Sequence, residues 1–172
     1  TLRPHSIGVG IYDVDHSGAL VRTHYLECDI DGASTDIPEL VGLHRGGLVL
    51  PNEEDLAYAK IRLDTASLTF AIENLRHIHN PLARSLVWGS VWDSTRDAEI
   101  SPRVFIDLAL SNIAHETEST TVRTVLGQLA LTVRNYLAPE KRQETIGAVA
   151  NALWTLAMNA APGSDIQFQL VK

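Results

Sequence analysis

The chain has 172 residues, 45% hydrophobic and 20% charged, with a formal net charge of -7. That is the composition of one globular domain or two small ones, and it excludes a disordered segment. An acidic chain without a basic stripe is a poor nucleic-acid binder, and no apolar run approaches the roughly 20 residues of a membrane-spanning helix. Cys28 is the single cysteine, so no internal disulfide and no thiolate zinc cluster can form; a cytoplasmic protein fits. The start lacks a signal peptide. It begins at Thr1 rather than Met, which suggests a processed chain or an excised piece.

His5 to Val14 carries Ile7, Val9 and Ile11 at period two, with Gly8 and Gly10 between them. It reads as a strand with one bare face, open to close approach by another backbone. Asp15-His16-Ser17-Gly18 is a turn, and Ala19 to Ile30 the returning strand of a hairpin. Asp31-Gly32 precedes a short third strand, Ala33 to Ile37, and Leu48-Val49-Leu50 follows Gly46-Gly47 as a fourth. Leu56 to Asp64 alternates, with Ala57, Ala59, Ile61 and Leu63 on one side, and reads as a last strand. About five short strands with turns between them predict a small β-sandwich.

Asp64 stands where a helix N-cap is wanted, and after it nearly everything reads as helix. Thr65 to Ile78 is the first, ended near Asn80-Pro81; Leu82 to about Arg96 is the second, rich in Val87, Trp88, Val91 and Trp92. Ser101-Pro102 starts a third with a hydroxyl cap and a proline whose missing N–H costs nothing there. The fourth has one apolar stripe: Val122, Val125, Leu126, Leu129, Val133, Tyr136 and Leu137. Pro139 opens a fifth that Pro162-Gly163 stops, and Ser164 to Lys172 is a short, partly alternating tail. The fold class is therefore α+β: a β-sandwich module over 1–63, then a helical domain over 64–172 of α-solenoid-like helical hairpins. Up to Asp64 there are 5 Lys and Arg against 11 Asp and Glu, and beyond it 9 against 10, so the β half carries nearly all the negative charge.

The chemistry-bearing residues do not assemble into a site. His115-Glu116-Thr117-Glu118-Ser119 has the look of a zinc motif, but Ser119 stands where the second imidazole is required. A polar helix junction, with Glu118 near a helix N-terminus, is the better reading. His77 and His79 splay to different faces of a helix, and His5, His16, His24 and His44 are scattered. Gly42, Gly46 and Gly47 lack the lysine of a phosphate loop, and Asp13, Asp15, Asp29 and Asp31 lack calcium-loop spacing. Trp88 and Trp92 read as core packing. Arg84, Arg96, Arg103, Arg123 and Arg134 read as mostly solvated, with one or two free to face a groove and hold a carboxylate. No catalytic, cofactor-binding or metal-binding residue is assigned.

Several stretches together resemble the C-terminal part of an aminopeptidase N-type zinc metallopeptidase, and most closely its actinobacterial members. They are Thr1 to His5 entering Ile7 to Asp13; Leu48 to Asn52 followed by Leu56 to Asp64; and Trp88 to Trp92, Ile100 to Leu110 and His115 to Thr120. The resemblance implies a β-sandwich and the start of a larger helical domain, following a catalytic domain and truncated at both ends. It implies that zinc, its ligands, a Gly-x-Met-Glu-Asn substrate motif and a catalytic tyrosine lie in that preceding domain. The parent's implied activity is removal of N-terminal residues from peptides, with zinc polarising the scissile carbonyl and a glutamate as general base. This segment would be inactive alone, partnered by the parent's own catalytic domain, and would supply the connector and part of the helical cover of the active-site chamber. The alternative is a stand-alone sandwich and helical-repeat module that binds a protein partner.

Overall fold

The computed structural model describes residues 3–172. Among the described residues three strands and six α-helices follow one another in an α+β layout. The chain divides into two compact units, one running to Ser90 and one from Val91 on.

In the first unit β1 (His5–Val14), β2 (Leu20–Ile30) and β3 (Leu48–Glu53) form one antiparallel sheet in the order β2-β1-β3. The hairpin closes on Asp15, whose Oδ1 accepts the N–H groups of Ser17 and Ala19 at 2.8 and 3.0 Å. Gly18 takes φ +84°, which a side chain resists. The register runs from His5 opposite Ile30 to Val14 opposite Leu20, with a bulge between Ile11 and Tyr12. Val9, Ile11, Leu48 and Leu50 are buried.

Two of the five expected strands do not form among the described residues. Residues 33–37 are irregular and lead into a single 3-10 turn, Pro38–Leu40. Thr35 Oγ1 takes both backbone groups of Asp31, accepting its N–H at 3.0 Å and donating to its carbonyl at 2.9 Å. A side chain that serves the backbone locally removes it from a ladder. Residues 56–64 are likewise irregular, and none of Ala57, Ala59, Ile61 or Leu63 is fully buried. Here the Asn52 amide grips Ala57 from both sides: Nδ2 donates to its carbonyl at 2.8 Å and Oδ1 accepts its N–H at 2.9 Å. At the far end, Ser90 Oγ donates to the Ile61 carbonyl at 3.1 Å.

Asp64 caps α1 (Thr65–Asn74), accepting from the N–H groups of Ala66 and Ser67. Ser67 Oγ in turn accepts the Val49 N–H at 2.9 Å, so the cap is fastened to β3. Phe70 of α1 lies against Gly47, where any side chain would strike its ring. Because α1 packs on the sheet, the change of element type near Asp64 and the change of packing unit at Ser90 fall at different residues. A 3-10 turn, Leu75–His77, follows α1, and α2 is Pro81–Arg96. Leu75, Ile78, Ala83 and Val87 are also buried in this unit.

The second unit holds the end of α2, then α3 (Pro102–Asn112), α4 (Ser119–Leu131), α5 (Pro139–Asn159) and α6 (Asp165–Val171). Ser101 caps α3 and Pro102 is its first residue, as expected. The α4 stripe is buried at Val122, Val125 and Leu129. At Thr132–Tyr136 the helix widens into a π-turn, where Thr132 Oγ1 donates to the Gln128 carbonyl at 2.8 Å. Val133 and Leu137 stay buried through that turn. Phe105, Leu108, Ile113 and Ala157 fill the same core, and Trp92 meets Phe105 at a tilt and Tyr136 edge-on, with centroids 5.4 and 6.0 Å apart. The short, partly alternating tail from Ser164 carries helix α6. Ser164 caps it by accepting the Gln167 N–H, and Asp165 sits in its first turn.

Candidate functional site

The glycine face of β1 is not bare. A Cβ on Gly8 would meet the Tyr25 ring, and one on Gly10 would overlap the Glu53 carboxylate. Glu53, the last residue of β3, is 0% exposed. Its Oε1 accepts from the Tyr12 phenol and, at 3.0 Å, from Arg22 Nη1. The same Nη1 reaches Glu54 Oε1 at 2.9 Å, and the guanidinium lies over the Tyr25 ring, 4.7 Å from its centroid. Glu53 Oε2 is buried against Gly10 with no hydrogen-bond donor among the described residues. Burial first, then the Glu53 hydrogen bond and charge, push the Tyr12 phenol well above its ordinary value. The hydrogen bond to Glu54 leads in raising Arg22. Closed off from solvent, this carboxylate cannot meet a substrate. What it can do is bind β1, β2 and β3 to one another at one point.

The turn beside it is unusual. Asn52, Glu54 and Asp55 have φ of +55°, +68° and +54°, three left-handed residues with side chains within four positions. No sequence signal pointed to this cluster except the two glycines of β1 and the acidic run Glu53-Glu54-Asp55.

The sequence-nominated residues go elsewhere. His115 is exposed in a 3-10 turn, the buried Glu116 accepts the Thr117 N–H at 3.0 Å, and Ser119 opens α4 and donates to the Asp165 carboxylate. This is a polar junction. Glu118 occupies the N-cap position of α4 without a side-chain cap bond. Asp13 pairs with His44 Nδ1 at 3.1 Å, and Asp15 and Asp31 serve their own turns. Among the described residues no three His, Cys, Asp or Glu side chains come together to hold a metal ion. Arg84, one of the five arginines expected to be mostly solvated, is buried, and its Nη1 donates to the carbonyls of Ile78 and His79 at 2.8 and 3.1 Å. It caps the chain reversal before α2, a role that spacing along a helix could not reveal. Arg96 pairs with Asp93 at 3.1 Å. In the second unit a mostly apolar cleft of about 440 Å³ lies between α4, α5 and α6, with Arg134 and Lys172 among its lining residues.

No described helix is long and apolar enough to cross a membrane. Residues 48–171 match the ERAP1-like C-terminal domain family. Over 167 residues, 97% of the chain, the sequence is 41% identical to "Aminopeptidase N" of Streptomyces lividans, of which it spans only 20%.

Proposed function

The chain belongs to the ERAP1-like C-terminal domain family, and from that premise we propose that it is a non-catalytic segment of a zinc aminopeptidase. The whole protein would remove N-terminal residues from peptides in the cytoplasm. This segment supplies the connector and part of the helical cover of the chamber in which they are cut, and its partner is the parent's own catalytic domain. The observation that carries the reading is a 41% identity that extends over 97% of the chain, through both the sheet and the helices. The zinc of such an enzyme does not fit the residues present: Ser119 replaces the imidazole a zinc helix would need, and the described histidines are dispersed. On this reading the ligands belong to another part of the parent, and no chemical step is assigned to this chain. Division at 63/64 into a β module and a helical domain is retained as the plan of the segment within that parent.

The test uses two preparations. The parent protein should hydrolyse aminoacyl-nitroanilides and lose that activity to a chelator. The 172-residue chain by itself should show no turnover and hold no zinc after dialysis. Stoichiometric zinc in the isolated chain, with turnover that the chelator abolishes, would overturn the reading.

A further inference from the structure

Glu53 is an expensive residue in its position. A buried carboxylate with one oxygen undonated is poorer than an apolar side chain of the same size, unless the charge fixes a conformation that packing alone would not. The residues around it show which conformation is at stake. Asn52, Glu54 and Asp55 all occupy the left-handed region, which Asn and Asp tolerate better than Glu but which all three disfavour relative to glycine. Glu53 sits in the middle of this run. Its Oε1 is held by Tyr12 of β1 and Arg22 of β2, and its Oε2 fills the space that Gly10 leaves. Arg22 also grips Glu54, the next left-handed residue. Beyond the turn runs the irregular segment 56–64, whose Tyr58 is fully exposed.

We propose that Glu53 is the latch of a strained strap: its carboxylate, clamped by Tyr12 and Arg22 over Gly10, holds the left-handed turn 52–55 and so fixes the path of residues 56–64 out of the sheet. With the latch released, the turn relaxes and the strap opens locally while the sheet remains paired. The reporters are built in. The Asp55 N–H donates to the Asn52 carbonyl at 3.0 Å and the Ala57 N–H to Asn52 Oδ1 at 2.9 Å, and both bonds exist only while the turn is closed.

Amide hydrogen exchange, read residue by residue on the intact 172-residue chain, tests this. Glu53→Gln keeps the volume and removes the charge; exchange at Asp55 and Ala57 should quicken by about ten-fold more than at the paired amides of β1 and β2. Tyr12→Phe removes one clamp without changing the ring, should quicken Ala57 by about three-fold more than the same sheet amides, and decides the matter if Glu53→Gln does not fold. In an Asp55→Gly background, where glycine relieves part of the strain, the effect of Glu53→Gln at Ala57 should shrink to less than about three-fold. Unchanged exchange at Ala57 in both Glu53→Gln and Tyr12→Phe would refute the latch. So would sheet amides that quicken in step with Ala57, since Glu53 would then serve overall stability only, and so would an undiminished effect in the glycine background.

Discussion

In the first unit β1 is covered on one face by a glutamate carboxylate and a tyrosine ring lying on glycines; in the second, α4 buries Val122, Val125 and Leu129 among apolar neighbours. The same contrast recurs at the edges of the two units. Asn52, Thr35 and Ser90 fasten the irregular stretches of the first by side-chain hydrogen bonds to backbone, whereas Trp92, Phe105 and Tyr136 fill the second with rings. Such polar clamps depend on charge state and geometry, while an apolar stripe depends on volume. The two regions should therefore fail under different insults.

Leu129 is 1% exposed at the middle of the α4 stripe. Leu129→Ala should cost about 2–5 kcal/mol in chemical denaturation, the range for a buried leucine left as a cavity, with little change between pH 5 and pH 9. A small loss would place the cohesion of the helical region somewhere other than its apolar stripe.

Tyr12→Phe should cost about 1–3 kcal/mol, because Glu53 loses a donor in a buried position. Burial, and then Glu53, raise the Tyr12 phenol, so its contribution is complete below about pH 10 and fades as pH rises through the folded value. Denaturation midpoints measured from pH 8 to pH 11 should fall more steeply for the parent sequence than for the variant. Parallel curves would separate Tyr12 from the charge network.

Asp64→Ala removes the α1 cap and should cost about 0.5–2 kcal/mol at neutral pH. Partial burial pushes the Asp64 carboxyl up, but hydrogen bonds from Ser67 and Ala66 and the Arg45 guanidinium outweigh it and hold the carboxyl below its usual range. That contribution is present above about pH 4 and is lost as pH falls through the lowered folded value. Titrating stability from pH 5 to pH 2 should show a loss that the alanine variant lacks. The smallest effect belongs to Arg134→Ala, an exposed side chain, at less than about 0.5 kcal/mol. A larger loss there would show that the cleft beside it needs its cation for packing.

The helices were legible because their signals are local. Asp64 before Thr65, Ser101 before Pro102 and the three-four spacing of Val122, Val125 and Leu129 act within one or two turns of chain. Ser164 before Asp165 was an equally local cap signal, masked by the alternation of the residues that follow. The π-turn at Thr132 carried no mark, since Thr132 to Tyr136 continues the apolar spacing of an ordinary helix.

What the sequence by itself determined was the α+β order, the β1–β2 hairpin, the starts of α1 and α3 and the buried stripe of α4, because short-range hydrogen bonds and periodicity decide each of them. Only the tertiary structure decided that 33–37 and 56–64 would not be strands, that Arg84 would be buried, and that the glycine face of β1 would be filled by Glu53. Each of those outcomes depends on a partner distant in sequence or on a side chain that competes with the ladder: Thr35 for Asp31, Asn52 for Ala57, and Glu53 for the space above Gly10, 43 residues away. Alternation is necessary for a half-buried strand, but a backbone whose hydrogen bonds are already taken has none left for a neighbouring strand.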